Sequence, residues 1–219
     1  MKILSNLFIA LMAVSLIVSC KNKPEGEAAQ TGEASETTAK PSDAAKSYQV
    51  SSGKVFWAAT KVGGGHNGEF TVSRGKLTAE NGVVSSGIFE IDITSMTETN
   101  LEGESNTKFI SHMQSSDFLD TEKFDKGQFT IVSIEPLEGN PDANYTVKGN
   151  LELKGISKSI SIPANVAVMD NKISVITPKF TINRTEWDIK YGSGVIGTAA
   201  DKIIHDDVSL NIQLEAVSR

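Results

Sequence analysis

Apolar and polar residues alternate with a period of two along much of the chain after residue 48. The alternation is plainest along residues 89–94, 147–153, 159–168 and 208–216. A strand with one solvated face and one apolar face produces this pattern. Turn signals lie between the alternating runs, at Glu80-Asn81-Gly82, Lys154-Gly155 and Met169-Asp170-Asn171. Short connections of this kind join antiparallel neighbours, so the pattern predicts an all-β, antiparallel domain of about eight strands.

Eight strands can close into a barrel, which removes exposed strand edges and can enclose one ligand. A packed two-sheet sandwich gives the same alternation, and the pattern alone leaves both architectures open. Residues 101–115 break the alternation, because Phe109 and Met113 lie four residues apart with Ile110 beside them. This spacing predicts a short helix with one apolar stripe, which we expect to cover one end or one side of the sheet.

The first 20 residues carry the pattern of an export signal. Met1 and Lys2 give a positive start, and an apolar run follows from Ile3 to Val18. A run of about 16 residues suits the hydrophobic region of a signal peptide better than a bilayer-spanning helix. It ends in Ile17-Val18-Ser19-Cys20, which resembles a bacterial lipobox, where the leader is cut before the cysteine and the cysteine is acylated. We expect a lipoprotein signal peptide over residues 1–19 and lipidation at Cys20; an ordinary secretory leader with an incidental cysteine is the alternative.

The next segment is predicted to be a tether. Residues 21–47 contain no Val, Ile, Leu, Met, Phe, Trp or Tyr. Such a composition cannot bury enough apolar surface to offset the entropy of ordering, so it predicts disorder. A flexible coil of this length has a root-mean-square reach of roughly 30 Å. The predicted organisation is a signal peptide over 1–19, a lipid-anchored disordered tether over 20–47 and a β-barrel domain over 48–219.

Composition narrows the classes of function. The 219 residues carry a net charge of -6, which argues against a nucleic-acid partner because such proteins present a basic face. The chain has one cysteine, which excludes an intramolecular disulfide and a cysteine-based zinc site.

Several motifs follow one another along the β domain. The most specific is the His-x-x-Ser-x-Asp-Phe run from His112 to Phe118. The others are residues 66–70, residues 91–96, Phe124 with Phe129, residues 149–158 and residues 183–187. In order and spacing these runs resemble the YceI-like, polyisoprenoid-binding proteins of bacteria. The chain departs from that family at Gln114, where Arg is usual, and at Glu186-Trp187-Asp188, where Asp-Phe-Gly is usual.

The resemblance implies a lipocalin-like barrel whose apolar interior holds an isoprenoid or another long-chain amphiphile. Burying hydrocarbon away from water is worth about 0.8 kcal/mol per CH₂, but a ligand taken from a bilayer has already left water. Transfer is then close to balanced, which permits both loading and release. Beyond such a lipid no cofactor is expected. The candidate lipid-binding residues are His66, Phe70, Phe89, Phe109, His112, Phe118, Phe129, Phe180 and Trp187.

Three polar groups have open roles. His66 and His112 lie in the family-like runs and are expected either at the pocket mouth, against a ligand head group, or as caps of backbone groups in loops. Arg184 is expected to pair with a carboxylate, Asp117 being one candidate, or to meet an anionic head group. The third histidine, His205, has no spacing that makes it converge with the other two, so no metal site is expected.

The run Gly192-Ser193-Gly194-Val195-Ile196-Gly197 matches the glycine pattern of dinucleotide-binding proteins. Too few residues follow it for the repeated βαβ units of such a domain, so we interpret these residues as turn glycines. No Ser-His-Asp or paired-carboxylate arrangement stands at a characteristic spacing, and the chain is not expected to be an enzyme.

The sequence therefore predicts a membrane-tethered protein that carries or sequesters a long-chain lipid in the bacterial cell envelope, on the periplasmic side or at the outer membrane. One alternative is an envelope interaction or stress protein whose barrel is filled by its own side chains. A less favoured alternative is a barrel enzyme that uses His66 or His112. The oligomeric state stays open, a dimer included.

Overall fold

The computed structural model describes residues 23–37, 42 and 44–218, so the predicted signal peptide and Cys20 lie outside the described residues. The strands are β1 (Glu27–Ala28), β2 (Gln30–Glu33), β3 (Lys46–Lys61), β4 (Gly64–Glu80), β5 (Val83–Asp92), β6 (Lys126–Pro136), β7 (Tyr145–Leu153), β8 (Ile156–Met169), β9 (Lys172–Ile176), β10 (Phe180–Asn183) and β11 (Ile204–Ser218). The α-helix is α1 (Gly103–Gln114), and short 3-10 helices span Ile93–Ser95, Arg184–Trp187, Gly194–Ile196 and Ala200–Lys202.

Eight of the strands close into an antiparallel barrel. Strands β3 to β8 pair in sequence order, β9 pairs with both β8 and β11, and β11 pairs with β3 to complete the circle. The predicted eight-stranded antiparallel barrel is confirmed, and the sandwich alternative is wrong. The helix predicted within residues 101–115 is confirmed as α1.

The predicted turns are tight hairpin connections. Asn81 and Gly82 have φ values of 52° and 80°, and Lys154 and Gly155 have φ values of 50° and 72°. Two consecutive residues with positive φ form the type of turn that matches the twist of antiparallel strands. Asparagine and glycine are tolerated there because they adopt the left-handed region more readily than other residues.

The apolar positions of each strand point into the barrel and form one core. Its most deeply buried side chains include Leu77, Ile160, Ile173 and Ala216. On α1, the predicted stripe of Phe109, Ile110 and Met113 packs against this core. We call the end of the barrel beside α1 and the Arg184–Trp187 turn the helix end, and the end with the turns at 81–82 and 170–171 the hairpin end.

Part of the predicted tether is ordered in the structure. Residues Glu27–Ala28 pair in parallel with β10, and residues Gln30–Glu33 pair antiparallel with β8. The prediction of disorder therefore fails for these residues, because it considered only apolar burial. Open strand edges supply backbone hydrogen bonds instead, and a polar segment can use them. Within the described part of the chain, no helix is long and apolar enough to cross a membrane.

Candidate ligand-binding interior

The barrel encloses an apolar cavity of about 60 Å³. Its lining side chains are Val55, Val72, Leu77, Val84, Phe89, Ile91, Phe129, Ile131, Ile134, Val147, Ile162, Ala164, Val166, Val175, Thr177, Ile212 and Leu214. Only Thr177 among them is polar. Ligand pockets for small organic molecules are commonly about 300–1,000 Å³, so a long-chain ligand needs the lining side chains to move apart.

Two lining phenylalanines are placed to make that room. The rings of Phe89 and Phe129 stack with their centroids 6.4 Å apart and their planes 15° from parallel. The Phe129 ring lies over Gly149, where a Cβ atom would stand only 2.2 Å from it. These rings therefore fill space that glycine leaves open, and a change of rotamer in either ring changes the volume of the cavity.

At the helix end, α1 lays an aromatic ring over the barrel. The Phe109 ring stacks on Trp57 with a centroid separation of 6.4 Å and lies 4.4 Å from the His66 ring. Trp57 is 5% exposed, and its indole N–H has no hydrogen-bond partner among the described residues. Trp57 follows the cavity-lining Val55 by two positions on β3, so both side chains lie on the inner face.

A buried carboxylate holds His66 at this end. The Nδ1 atom of His66 lies 3.1 Å from Oε1 of Glu98, whose side chain is fully buried. The backbone N–H of Leu101 donates to Oε2 of Glu98 at 2.7 Å. Burial alone raises the pKa of Glu98, but hydrogen bonds from His66 and from the backbone N–H groups of Leu101 and Asn100 outweigh it. The pKa of Glu98 therefore lies below its ordinary value of 4.5.

This arrangement predicts how stability depends on pH. A carboxylate whose pKa is lower in the folded state stabilises that state above the unfolded pKa, and this contribution disappears as the pH falls through the folded pKa. We expect Glu98→Gln to be less stable than the parent at neutral pH, and the difference to shrink below pH 4.5. Urea unfolding at a series of pH values measures the effect. Glu122→Gln, at an exposed position, is the control, and an equal pH profile in both variants would contradict the prediction.

His112 lies outside the barrel. It is 44% exposed at the side chain, and its Nε2 lies 3.3 Å from Oδ2 of Asp117. The His112 ring makes edge contacts with Phe118 and Tyr191, at centroid distances of 5.1 and 4.9 Å. These residues tie the C-terminal end of α1 to the loop after β10, and they do not reach the cavity.

Arg184 has a structural role: it pairs with a carboxylate, as one of the two predictions held, but its partner is Asp206 and not the candidate Asp117. Its guanidinium donates to the carbonyl oxygens of Ile189, Ile204 and His205 at 2.6, 3.1 and 3.2 Å, and to Oδ1 of Asp206 at 3.3 Å. Burial lowers the pKa of Arg184, while the charge of Asp206 acts in the opposite direction. A buried guanidinium held by this many acceptors pins the loop before β11 to the barrel.

The other predicted lipid-binding residues divide between the cavity and the surrounding core. Phe89 and Phe129 line the cavity, whereas Phe180 and Trp187 are buried outside its lining. Phe70 is partly buried against the core and stands opposite Val55 in the sheet. Sequence reasoning chose aromatic residues and missed most of the aliphatic lining. The alternation on β8 and β11 already marked Ile162, Val166 and Ile212 as inward-facing.

Metal ligands are not grouped in the described part of the chain. No set of three or more His, Cys, Asp or Glu residues there stands close enough to hold an ion. His205 instead lies with its Nδ1 atom 2.7 Å from the hydroxyl of Thr60. The two glycines that bracket the dinucleotide-like run, Gly192 and Gly197, have φ values of 66° and 81° and lie in turns.

Curated proteins similar to this chain are bacterial. A UPF0312 protein of Shewanella denitrificans is 33% identical over 98 residues, which cover 45% of this chain and 48% of that protein. A UPF0312 protein of Shewanella baltica is 33% identical over 88 residues, which cover 36% of this chain and 44% of that protein. The chain therefore spans about half the length of the curated relatives it matches.

Two solved structures share the fold. BcnA of Burkholderia cenocepacia superposes with a TM-score of 0.58 at 19% identity, over 75% of this chain and 96% of that one. A polyisoprenoid binding domain from Saccharophagus degradans gives a TM-score of 0.55 at 13% identity, over 78% and 98%. The sequence of this chain also matches a family model, that of the YceI-like domain, over residues 43–216. With that match across the whole barrel, the protein belongs to the YceI-like domain family.

Proposed function

We propose that this protein binds a long-chain, isoprenoid-like lipid in the barrel interior, and carries or sequesters it at a membrane to which acylated Cys20 anchors it. The observation that carries the proposal is the cavity lining, which is apolar at every position except Thr177. The Thr177 hydroxyl already accepts the backbone N–H of Ile212 at 2.9 Å. The lining therefore contacts a ligand through hydrocarbon groups, and none of its side chains needs a hydrogen bond from the ligand.

Family membership and one structural relative support a lipid ligand. The relative from Saccharophagus degradans is itself named as a polyisoprenoid binding domain. Hydrocarbon burial is worth about 0.8 kcal/mol per CH₂ relative to water, and much less relative to a bilayer. A carrier that exchanges lipid with a membrane gains from this near balance, since the lipid leaves as readily as it loads.

The helix end offers one donor to a ligand's polar atom. The Trp57 indole N–H is buried, unpaired among the described residues and on the inner face next to a cavity-lining position. An unpaired buried donor is costly, so a ligand oxygen that reaches it gains a hydrogen bond with little competition from water. The proposal thus places the hydrocarbon chain in the cavity and the head group at the helix end, beside Trp57 and Phe109.

Native mass spectrometry of the full chain, purified gently from bacterial membranes, tests the proposal. We expect the protein to carry a long-chain species that is released on denaturation. A protein mass without any lipid adduct, after extraction with mild detergent and after incubation with polyprenol-containing vesicles, would contradict it.

A pair of substitutions on β8 tests whether the interior is the site. Ala164 is buried and lines the cavity, whereas Ala167 on the same strand is exposed. Ala164→Leu adds three carbon atoms to the cavity and is expected to lower lipid occupancy at least tenfold. Ala167→Leu makes the same chemical change on the outer face and is expected to leave occupancy unchanged. Equal occupancy in the two variants would place the lipid elsewhere.

Membrane attachment is tested by Cys20→Ser. This substitution removes the acylated sulfur, so we expect the protein to move from the membrane pellet to the soluble fraction after cell fractionation. Several acyl chains anchor a protein stably, whereas loss of all of them leaves no comparable attachment. Unchanged sedimentation with membranes would contradict the anchor while leaving lipid binding by the barrel untouched.

A second function, an envelope interaction protein with a self-packed barrel, is favoured by one observation. The cavity of about 60 Å³ is too small for a long chain without rearrangement of the lining. The two functions give opposite results in the same experiment. A self-packed barrel carries no lipid, and Ala164→Leu then changes only its stability.

A further inference from the structure

The barrel wall has a seam near the helix end. Strand β9 pairs with β8 only at Asn165–Met169 and with β11 only at Gln213–Val217. Closer to the helix end, β9 no longer pairs with β8. There the edge of β8 at Lys158–Ser161 and the free edge of β10 are not joined by any of the eight barrel strands. Unpaired strand edges present backbone donors and acceptors that a further strand can satisfy.

Residues 25–35, which we call the strap, fill this seam. Glu27–Ala28 pairs with β10 and Gln30–Glu33 pairs with β8, while the N–H of Ala29 between them donates to the carbonyl of Thr181 at 2.8 Å. The side-chain amide of Asn150 then accepts the N–H of Ser35 at 2.9 Å and donates to its carbonyl at 2.7 Å. The strap lies outside residues 43–216, which the family model matches.

The strap is held by backbone hydrogen bonds more than by buried surface. Its only apolar residues are alanines, and of these only Ala29 packs against the core. Its ion pairs, Glu25 with Lys179 and Glu33 with Lys158, involve glutamate side chains that are 73% and 90% exposed. Exposed pairs contribute little to stability, and segments with few apolar contacts open at lower free energy than the core.

The seam lies next to the cavity. Ile160 and Phe180, on the strands that flank the strap, are buried side chains of the core. Ile162, the next inward residue on β8, lines the internal cavity. It also lines an open cleft of about 740 Å³ whose walls include strap residues and the outer faces of β6 to β8. Removing the strap therefore uncovers the edge of β8 beside Ile160 and the edge of β10 beside Phe180, one inward position away from the cavity-lining Ile162.

The strap also shortens the path to the membrane. Four residues lie between Cys20 and Glu25, so the Cα atoms of Cys20 and Glu25 are five residue steps apart and at most about 18 Å from each other. A tether disordered along its full length has a root-mean-square reach of roughly 30 Å. Given the proposed anchor at Cys20, an ordered strap holds the seam closer to the bilayer than a fully disordered tether would.

We propose that the strap is a releasable closure of the barrel wall, and that its release opens a lateral path through the seam for a hydrocarbon ligand. The inference rests on the proposed function, because a lateral path needs a lipid to admit. It explains how a cavity of about 60 Å³ is loaded, since a wall that opens can separate the lining side chains without unfolding the barrel.

A reversible cross-link tests the path. Gly32 and Ser159 are register partners on β2 and β8, and a Cβ at Gly32 meets no atom within 4 Å. Partner residues of antiparallel strands have Cα atoms about 4.5–5.5 Å apart, which a disulfide spans. In a Cys20→Ser background, Gly32→Cys with Ser159→Cys gives a protein whose strap is locked when oxidised and free when reduced. The probe is retinol, an isoprenoid whose fluorescence rises in apolar surroundings, delivered in phosphatidylcholine vesicles.

We expect the oxidised protein to take up retinol at least tenfold more slowly than the same protein reduced. Equal uptake rates would overturn the lateral path and leave the proposed function intact. Absence of uptake in both states would overturn the proposed function and the path together. Hydrogen exchange of the protein without the cross-link gives a readout that needs no ligand. The Ala29 amide should exchange at least a hundredfold faster than amides of β7 and at least tenfold slower than an unstructured amide. An Ala29 exchange rate equal to that of β7, or equal to that of an unstructured amide, would overturn a releasable strap.

Discussion

Replacing Gly68 by alanine is expected to destabilise the barrel by about 2–3 kcal/mol or more, because the added methyl group has no space. A Cβ at Gly68 would stand 1.9 Å from the carbonyl oxygen of Thr97 and 3.1 Å from the Cα of Glu98. These are backbone atoms of a segment that is itself hydrogen-bonded to β4. The N–H groups of Thr97 and Thr99 donate to the carbonyls of Glu69 and Asn67, both at 2.9 Å. The segment cannot retreat from the methyl group without losing those bonds.

The same strand provides a matched control. Gly64 also lies on β4, has no positive φ, and a Cβ there would meet nothing within 4 Å. Gly64→Ala therefore makes the same covalent change and is expected to be neutral or slightly stabilising, since alanine reduces the entropy of the unfolded chain. Denaturant unfolding of both variants measures the difference, and equal free energies of unfolding would contradict the close approach at Gly68.

Gly68 also connects the fold to the candidate site. The segment that passes over it carries Glu98, the buried partner of His66. A displaced segment moves this carboxylate away from its hydrogen-bond donors, so Gly68→Ala is expected to weaken the dependence of stability on pH below 4.5 as well as stability itself. Gly64→Ala should leave that pH dependence unchanged.

The parts of the fold that were predictable from sequence depend on local patterns. Alternation predicted the strands, and pairs such as Asn81-Gly82 and Lys154-Gly155 predicted the hairpins, because two-residue turns need positive φ. The spacing of Phe109 and Met113 predicted α1 and the face it buries. Each of these signals lies within a few residues of the structure that it specifies.

The unpredicted features arise between distant parts of the chain. Nothing near Glu98 in the sequence indicates that it pairs with His66, and nothing near Arg184 favours Asp206 over Asp117. The strap was missed for a different reason, because its order comes from strand edges that exist only after the barrel has closed. The cavity was predicted as aromatic, but alternating aliphatic residues form most of it, with Phe89 and Phe129 among them.

Trp187→Ala is expected to cost about 3–5 kcal/mol of unfolding free energy, because it removes a large buried side chain and leaves a cavity. Trp187 is 0% exposed, and its indole N–H donates to the carbonyl of Leu151 at 3.0 Å. Trp187→Phe keeps part of the ring volume but loses this hydrogen bond. The lost bond is expected to cost at least about 1 kcal/mol of unfolding free energy in addition to the cost of the lost ring volume.

A substitution of Trp57 separates the effect of losing the hydrogen bond from the effect of losing ring volume. It is also buried, but its indole N–H has no partner among the described residues. Trp57→Phe therefore loses a similar ring volume without losing a hydrogen bond, and it removes an unpaired buried donor whose desolvation opposes folding. We expect Trp57→Phe to be less destabilising than Trp187→Phe in urea unfolding of ligand-free protein. If the two substitutions cost the same, the bond to Leu151 contributes nothing and the anchoring of the Arg184–Trp187 turn rests on packing alone.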